Sequence, residues 1–274
     1  MDVEGFRSIV YRHYEDSGRS FPWRERITPW GVLVSEFMLQ QTQTGRVAEY
    51  WERWMRRWPS PESLAAAPLE EVLREWNGLG YNRRARNLRE AARVIAGEFS
   101  GRVPESPEKL RALPGVGPYS SGAIACFAYN YPAVFIETNI RSAVIHCFFS
   151  GDTPEGAPRP AVGDEALLPI LKQALDRLNP RKWHYALMDY GAALKKSMTN
   201  PARRSAAYVK QSRFEGSFRQ KRGRVLKSLA FEGPAGLPLL AERTGIAAED
   251  LYEVVDALSR EMMAASEDGI YRIR

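Results

Sequence analysis

The stretch that most restricts the fold of this chain is ALPGVGPYSSGAIACFAYN, residues 112–130. The preceding SPEKLRAL is typical of a helix that stops at Pro114, Gly115 and Gly117 permit a tight turn, and Pro118 suits the first turn of a second helix. The pattern predicts a helix-hairpin-helix. Such a hairpin gathers backbone N–H groups that can bind one nucleic-acid phosphate, although PGVG taken alone is more typical of an interhelical turn without a ligand.

Helical periodicity extends over most of the remaining chain, because apolar residues recur at spacings of three and four and Pro or Gly marks the breaks. Alternating, strand-like runs are almost absent. The pattern therefore predicts an all-α fold. Helices are expected to begin near Asp2, Thr28, Arg46, Ser63, Leu69, Arg83, Ser106, Pro118, Thr138, Asp164 and Trp183.

The composition is that of a globular protein: 274 residues, of which 44% are hydrophobic and 26% charged. No apolar run approaches the roughly 18 residues of a membrane span, and the N-terminus is an amphipathic helical pattern rather than an export signal. Cys126 and Cys147 lie in apolar helical patterns, which favours core thiols over a disulfide or a metal site. We expect a cytoplasmic monomer, associated with the nucleoid in a bacterium or archaeon.

Basic charge is concentrated in residues 210–228, where seven Lys or Arg stand against one Glu. This surplus equals the net charge of the whole chain, +6. It indicates a polyanionic partner, and a solvated basic helix face is an equally good interpretation of the charge alone.

The residues after this segment read as helix, turn, helix and a short hairpin, which is the outline of a small winged helix. The second of these helices is acidic, and acidic side chains would repel phosphates in a DNA groove. We therefore expect this helix to pack against the rest of the chain or a protein partner. Its acidic residues are Glu249, Asp250, Glu253, Asp256 and Glu261.

Two carboxylates carry candidate chemistry. Glu36 lies in an apolar helix, TPWGVLVSEFMLQQTQ, where burial raises a carboxyl pKa and makes a general acid, unless the residue is a structural partner of an Arg. Glu137 immediately precedes a predicted helix, where the free N–H groups favour the ionised form, as they would for a plain capping residue. Carboxylates whose pKa values are pushed apart are typical of enzymes that cleave glycosidic bonds.

Five segments resemble, in order, motifs of the helix-hairpin-helix DNA glycosylases, the endonuclease III superfamily, and most closely the MutY-type adenine glycosylases. They are FPWRERITPWGVLVSEFMLQQTQTGRVAEYWERW, WNGLGYNRRARNL, LPGVGPYSSGAI, FIETNIRSAV and HYALMDYGA, and they span roughly residues 5 to 195. The resemblance implies a two-lobed core over 1–208, in which about 28–133 form the lobe with the hairpin and 1–27 plus 134–208 form the second lobe. Residues 209–274 would then form the basic helix and the winged-helix-like domain.

The resemblance also implies roles for site residues. In the family, the residue matching Glu36 protonates the leaving adenine. Glu137 stands where the superfamily has an Asp, which is one methylene shorter and stabilises the oxocarbenium-like sugar. Asn139 matches an Asn that holds the nucleophilic water or the sugar. Tyr119 stands where bifunctional members have a Lys, so no Schiff base is expected.

The DNA contacts implied by the resemblance include an inserted loop, LQQTQ, and a stacking wedge, Tyr81, beside the opposite base. The loop supplies Gln40, Gln41 and Gln43. The hairpin supplies Leu113, Gly115, Val116, Gly117 and Ser120, and the basic residues expected on DNA are Arg83, Arg86, Arg219, Lys221 and Arg222.

Two absences modify the expectation. The four Cys that hold a [4Fe–4S] cluster in such enzymes are replaced by ALKKSMTNPARRSAAYVKQ, so we expect no iron-sulfur cluster and at most a monovalent or divalent cation at the hairpin. Residues 213–274 are too few for the Nudix-like domain of MutY-type enzymes.

The expected activity is monofunctional release of adenine opposite 8-oxoguanine or guanine in base excision repair. The alternatives are release of thymine or uracil opposite guanine, or of a modified base, and a non-catalytic protein that binds mismatches or lesions.

Overall fold

The structure is a computed structural model that describes residues 1–150, 160–211 and 213–274. These residues are mostly helical with one small three-stranded sheet, which confirms the predicted fold class. They form two compact units. The first comprises Met1–Pro29, Glu105–Arg111 and Val116–Lys210, and the second comprises Trp30–Pro104, Ala112–Gly115 and Gln211–Arg274. The lobe boundaries expected from the sequence stay a prediction.

In the described part of the chain, the helices are α1 (Val3–Ser17), α2 (Pro22–Glu25), α3 (Pro29–Leu39), α4 (Thr44–Arg57), α5 (Pro61–Ala65), α6 (Leu69–Trp76), α7 (Arg83–Glu98), α8 (Pro107–Arg111), α9 (Pro118–Tyr129), α10 (Thr138–Phe148), α11 (Asp164–Ala174), α12 (Pro180–Ser197), α13 (Phe218–Glu232), α14 (Leu237–Thr244) and α15 (Ala248–Arg260). A short 3₁₀ helix covers Pro201–Arg204. Every predicted helix start lies within three residues of an observed one. The sequence patterns missed α2 and the 3₁₀ helix because a single turn is too short to show periodicity.

The first unit is organised around α12, which packs against α1 and α10. Trp183 of α12 is buried and meets Phe6 of α1 edge-to-face, with ring centroids 5.8 Å apart. Asp189 of α12 is also buried, and it accepts hydrogen bonds from Arg19 and Arg24. Apolar packing and this buried ion cluster together fix α12 against the N-terminal helices.

The second unit joins α3 to α7 with the C-terminal domain. That domain has the order α13, β1 (Ala235–Gly236), α14, α15, β2 (Ala264–Glu267) and β3 (Ile270–Ile273), and its antiparallel sheet has the strand order β1-β3-β2. This is the predicted winged-helix outline. The domain is anchored on the preceding helices, since α13 packs on α6 and Arg74 donates a hydrogen bond to the carbonyl of Ala230.

Within the described residues, every helix is too short or too polar to cross a membrane.

Candidate active site and nucleic-acid interface

Glu137 is the N-cap of α10, and its carboxylate binds the start of that helix. Oε1 accepts hydrogen bonds from the backbone N–H groups of Asn139 and Ile140, at 2.7 and 2.9 Å. Oε2 accepts one from the side-chain amide of Asn139 at 3.1 Å. An extended backbone at Glu137, with φ −131° and ψ 177°, directs the side chain back onto the helix. Glu137 and Asn139 are therefore held together as one hydrogen-bonded pair.

The pKa of Glu137 lies above the ordinary value. Burial is the largest cause and raises it, while the N–H groups of Asn139 and Ile140 and the charge of Lys195 act in the opposite direction. The N–H groups at the helix start act in the direction expected from the sequence, but desolvation of the carboxyl outweighs them, and the net pKa is raised. The ionised form of Glu137 is therefore held at a cost in free energy, because the carboxyl is desolvated.

Close packing of α12 fixes the start of α10. A Cβ placed on Gly191 would lie 1.9 Å from the backbone oxygen of Asn139, so only glycine permits this approach. Lys195 lies one turn further along α12, and its positive charge is one of the causes that lower the carboxyl pKa. The sequence patterns did not single out Gly191, Lys195 or Asp189, although MDYGA was recognised as a motif.

Tyr119 lies in the first turn of α9, in the same unit as Glu137. Its ring meets Phe135 edge-to-face, with centroids 5.7 Å apart, and Phe135 in turn stacks on the buried His184 at 4.1 Å. Burial lowers the pKa of His184 to about 4, so this histidine is neutral at physiological pH. Tyr119 thus packs against Phe135, which in turn packs on a neutral histidine.

Glu36 is buried in α3, as its apolar surroundings predict, with 6% of its surface exposed. All residues from Trp30 to Met38 on this helix are buried. Glu36 belongs to the second unit, whereas Glu137, Asn139 and Tyr119 belong to the first.

The predicted hairpin joins α8 to α9. Gly115 has φ +82°, and a Cβ there would lie 2.8 Å from Cβ of Asn87 and 2.9 Å from a ring carbon of Phe37. Leu113, Val116 and Ser120, which were expected to contact DNA, are buried. Any contact of Leu113 and Val116 with a phosphate must therefore use their backbone N–H groups.

Arg84 joins the two loops that the sequence assigned to base insertion. Its side chain donates to the carbonyls of Phe37, Met38 and Gln40 at 2.6–2.9 Å, and it also reaches the second loop. The partners of its other terminal nitrogen, at 3.0–3.1 Å, are the hydroxyl of Thr42 and the carbonyls of Leu79 and Gly80. Arg84 lies in the matched segment WNGLGYNRRARNL, but no spacing rule could predict that it binds backbone from both loops.

Each of these loops carries a side chain on strained backbone. Gln41 has φ +57° and is exposed, and Tyr81 has φ +49° and is partly exposed. The left-handed conformation costs a non-glycine residue roughly 1–2 kcal/mol. Such strain is concentrated at functional positions in proteins. Tyr81 is the predicted wedge, and Gln41 is one of the three glutamines that the sequence offered, unranked, for insertion into the duplex. Gln40 and Gln43 flank Gln41 on the same loop, and Gln43 is exposed.

Several basic residues expected on DNA are engaged within the second unit. Arg86 donates to the carbonyl of Glu261. Lys221 lies 2.7 Å from Asp250, and Arg222 pairs with the carboxylate of Glu261. Asp250 and Glu261 of the acidic helix therefore bind basic side chains of the C-terminal domain itself. The expectation that this helix packs against the rest of the chain or a protein partner stays a prediction. Arg83 remains exposed.

The segment after α12 does not fit an iron-sulfur cluster, because it contains no cysteine. Asn200 caps the 3₁₀ helix and accepts a hydrogen bond from Ser142, and Arg204 binds the carbonyl of Phe149. Cys126 and Cys147, on α9 and α10, are reduced cysteines. Among the residues that the structure describes, no group of three or more His, Cys, Asp or Glu could hold a metal ion.

Comparison with known proteins agrees with this geometry. Residues 34–160 match the model of the HhH-GPD superfamily base excision DNA repair proteins. An adenine DNA glycosylase of Mycobacterium tuberculosis is 38% identical over 239 residues, which cover 79% of this chain and 75% of the relative. One from Mycolicibacterium smegmatis is 37% identical, over 79% of this chain and 77% of the relative.

A solved structure of a thermostable thymine-DNA glycosylase superposes with a TM-score of 0.63 at 26% identity, over 73% of this chain and 90% of that one. The chain therefore belongs to the HhH-GPD superfamily of base excision DNA repair glycosylases, on the adenine DNA glycosylase branch. This confirms the resemblance drawn from the sequence.

Proposed function

We propose that this DNA glycosylase hydrolyses the N-glycosidic bond of a flipped adenine in duplex DNA, opposite 8-oxoguanine or guanine, and leaves the strand uncut. The observation that carries the proposal is the Glu137–Asn139 pair at the start of α10, on a chain whose curated relatives are adenine DNA glycosylases. Fixed N–H donors hold the Glu137 carboxylate in place. A preorganised anion of this kind stabilises a positive charge that develops beside it.

In the proposed reaction, Glu36 donates a proton to N7 of adenine, and the bond between C1′ and N9 breaks with its electron pair leaving on the base. The carboxylate of Glu137 stabilises the positive charge that develops on the sugar. A water oriented by Asn139 then adds to C1′ and gives its proton to the Glu36 carboxylate, which restores the acid. Tyr119 has no amine to form a Schiff base, so the product is an intact strand with an abasic site.

Glu137 is one methylene longer than the Asp of the superfamily, and its carboxylate still binds the start of α10. The side chain folds back far enough to bind two backbone N–H groups and the Asn139 amide at once. We propose that this folded conformation keeps the carboxylate close to the helix start, where it acts on the sugar.

The test uses Glu36→Gln and Glu137→Gln in single-turnover assays of adenine release. Loss of the acid or of the charge stabiliser should slow release by roughly 10²- to 10³-fold. Affinity for the duplex should stay within a few fold, since neither residue attracts phosphate. The control is Glu249→Gln, an exposed residue in the first turn of α15. Full activity in both test variants would refute the mechanism.

The structural likeness to a thymine-DNA glycosylase supports a second candidate, release of thymine or uracil opposite guanine. The two candidates differ in the need for a general acid, because N7 of adenine is a basic site and thymine and uracil have no such atom. Glu36 is almost completely buried, and burial raises a carboxyl pKa, which suits a general acid. The burial of Glu36 therefore favours adenine as the target base. Tight binding to one mismatch without release of any base would instead support a non-catalytic binder.

We further propose that the enzyme acts as a monomer and contains no iron-sulfur cluster. The purified protein should be colourless and active after treatment with an iron chelator. It should produce strand breaks only after alkali or heat. A complex with DNA that is trapped by borohydride would contradict the monofunctional assignment.

A further inference from the structure

The C-terminal domain reaches the predicted wedge residue, Tyr81. The side chains of Gln211 and Arg219 both donate hydrogen bonds to the hydroxyl of Tyr81. The guanidinium carbon of Arg219 lies 4.8 Å from the centroid of the Tyr81 ring and 5.3 Å from that of Phe214. These three side chains, Tyr81, Phe214 and Arg219, are called the Tyr81 stack below. All belong to the second unit.

Helix α13 fixes the position of Arg219. It is the second residue of α13, a helix capped by Ser217, whose side chain accepts a hydrogen bond from the N–H of Gln220. The next turn is bound to the rest of the domain through Lys221 and Asp250, at 2.7 Å. Since α13 also packs on α6, the arginine is carried to Tyr81 by a helix that is anchored on both sides.

The Tyr81 stack is placed to receive a base. Phe214 is 52% exposed, and Tyr81 is partly exposed on left-handed backbone. Guanidinium planes and aromatic rings are the groups on which unstacked bases stack in complexes with nucleic acids. An exposed phenyl ring beside a guanidinium and a phenol therefore has the chemistry of a stacking site.

We propose that the C-terminal domain is part of the DNA-reading surface, and that the Tyr81 stack binds the base opposite the flipped adenine. Arg219 positions the ring of Tyr81, and Phe214 stacks on the opposite base or its neighbour. The inference rests on the proposed glycosylase function. It gives the C-terminal domain a role in choosing the opposite base, whereas the basic charge of α13 alone indicated only attraction to phosphate.

The neighbouring cations support this distinction. Lys221 and Arg222, on the same helix, are paired with acidic side chains of the C-terminal domain. Arg219 instead lies against two aromatic rings. A purine presents a larger face to such a site than a pyrimidine, so the Tyr81 stack should favour a purine opposite the adenine.

The test compares Phe214→Ser and Arg219→Ala with two matched controls. Phe231→Ser removes a phenyl ring of similar exposure, 51%, from the other end of α13, and Lys227→Ala removes one exposed positive charge from the same helix. Affinity is measured on duplexes whose adenine carries a cleavage-resistant 2′-fluoro sugar and stands opposite guanine, 8-oxoguanine or cytosine. Single-turnover release is measured on the matching cleavable duplexes.

We expect Phe214→Ser and Arg219→Ala to weaken binding opposite either purine roughly fivefold or more, and to weaken binding opposite cytosine less. Both controls should stay within about twofold. Arg219→Lys keeps the charge without the planar stack, so it should behave like Arg219→Ala. If Arg219→Ala is poorly folded, Phe214→Ser still decides the result, because an exposed ring can be removed without opening the core.

Test variants that match their controls on all three duplexes would overturn the proposal. It would also be overturned by an equal loss on every duplex together with a flatter dependence of affinity on salt, since that is the signature of a phosphate contact. Should the wild type release no adenine at all, the proposed function fails, and the binding measurements still decide whether the Tyr81 stack reads the opposite base.

Discussion

Glu137 and Arg84 are two charged side chains that the protein holds away from solvent in opposite ways. Glu137, in the first unit, accepts two backbone N–H groups at the start of a helix. Arg84, in the second unit, donates to five backbone carbonyls and one hydroxyl from two loops. A helix start offers donors and so holds an anion, whereas loops offer carbonyls and so hold a cation.

The two environments shift the pKa values of Glu137 and Arg84 with different consequences for their charge. Burial raises the pKa of Glu137, so its ionised form is held at a cost in free energy. Burial also lowers the pKa of Arg84 to about 10, which still leaves the guanidinium charged at neutral pH. We infer that Glu137 serves the proposed chemistry at some expense to stability, and that Arg84 holds in place the two loops that are predicted to contact DNA.

Arg84→Met should give the largest loss of stability. It keeps the apolar stem but removes one donor from each of six acceptors, of which the carbonyl of Gly80 keeps the indole N–H of Trp76, so the free energy of unfolding should fall by roughly 3 kcal/mol. Chemical denaturation measures this. Arg84→Lys should recover only part of the loss because an ammonium cannot reproduce the planar fork. Duplex affinity should fall in both variants, since Gln41 and Tyr81 lose their common support.

The control for this comparison is Arg83→Met, which removes an exposed arginine from the preceding position. Its free energy of unfolding should change by no more than about 0.5 kcal/mol. An Arg84→Met protein as stable as Arg83→Met would show that the two loops do not depend on the buried guanidinium.

The acid limb of the rate profile should be displaced to higher pH by Glu137. The proposed mechanism needs the carboxylate, and the raised pKa means that protonation begins at a higher pH than for an ordinary glutamate, whose pKa is 4.5. The single-turnover rate should therefore fall as the pH is lowered towards that value, approaching about tenfold per pH unit below the pKa. A rate that stays constant down to pH 4.5 would contradict the raised pKa.

A smaller effect is expected on the stability of Glu137→Gln. Because the folded-state pKa is raised, the stability that this carboxyl contributes is present at low pH and is lost as the pH rises through the folded pKa. The neutral amide avoids that loss, so the variant should melt at a higher temperature than the wild type at pH 7. The difference should shrink as the pH falls. A lower melting temperature at pH 7 would show that the carboxylate stabilises the fold.

The sequence predicted those parts of the site that depend on local patterns. Gly115 and the apolar helix around Glu36 follow from turn chemistry and periodicity, which act over a few residues. The acceptors of Arg84 and the approach of Gly191 to Asn139 join segments that are distant in the chain, and one sequence contains no signal for such pairs. The net pKa of Glu137 was missed for a related reason, since capping is local and desolvation depends on the whole surrounding fold.

The basic segment 210–228 shows the same limit. Its charge was visible in the sequence, but charge alone could not separate Arg219, which lies against Tyr81, from Lys221, which is paired with Asp250. Residue 212 of this segment lies outside the described residues. Composition therefore indicated a polyanionic partner, and only the fold showed which cation lies beside a candidate DNA contact.

The most direct measurement is the identity of the base released from a panel of duplexes. The panel pairs adenine with 8-oxoguanine, guanine, cytosine or thymine, and pairs thymine or uracil with guanine, and free bases are quantified by chromatography under single-turnover conditions. We expect adenine to be released fastest opposite 8-oxoguanine, then opposite guanine, and hardly at all from the well-paired adenine–thymine duplex, whose base costs more to flip. Faster release of thymine or uracil opposite guanine than of adenine opposite either purine would contradict the account.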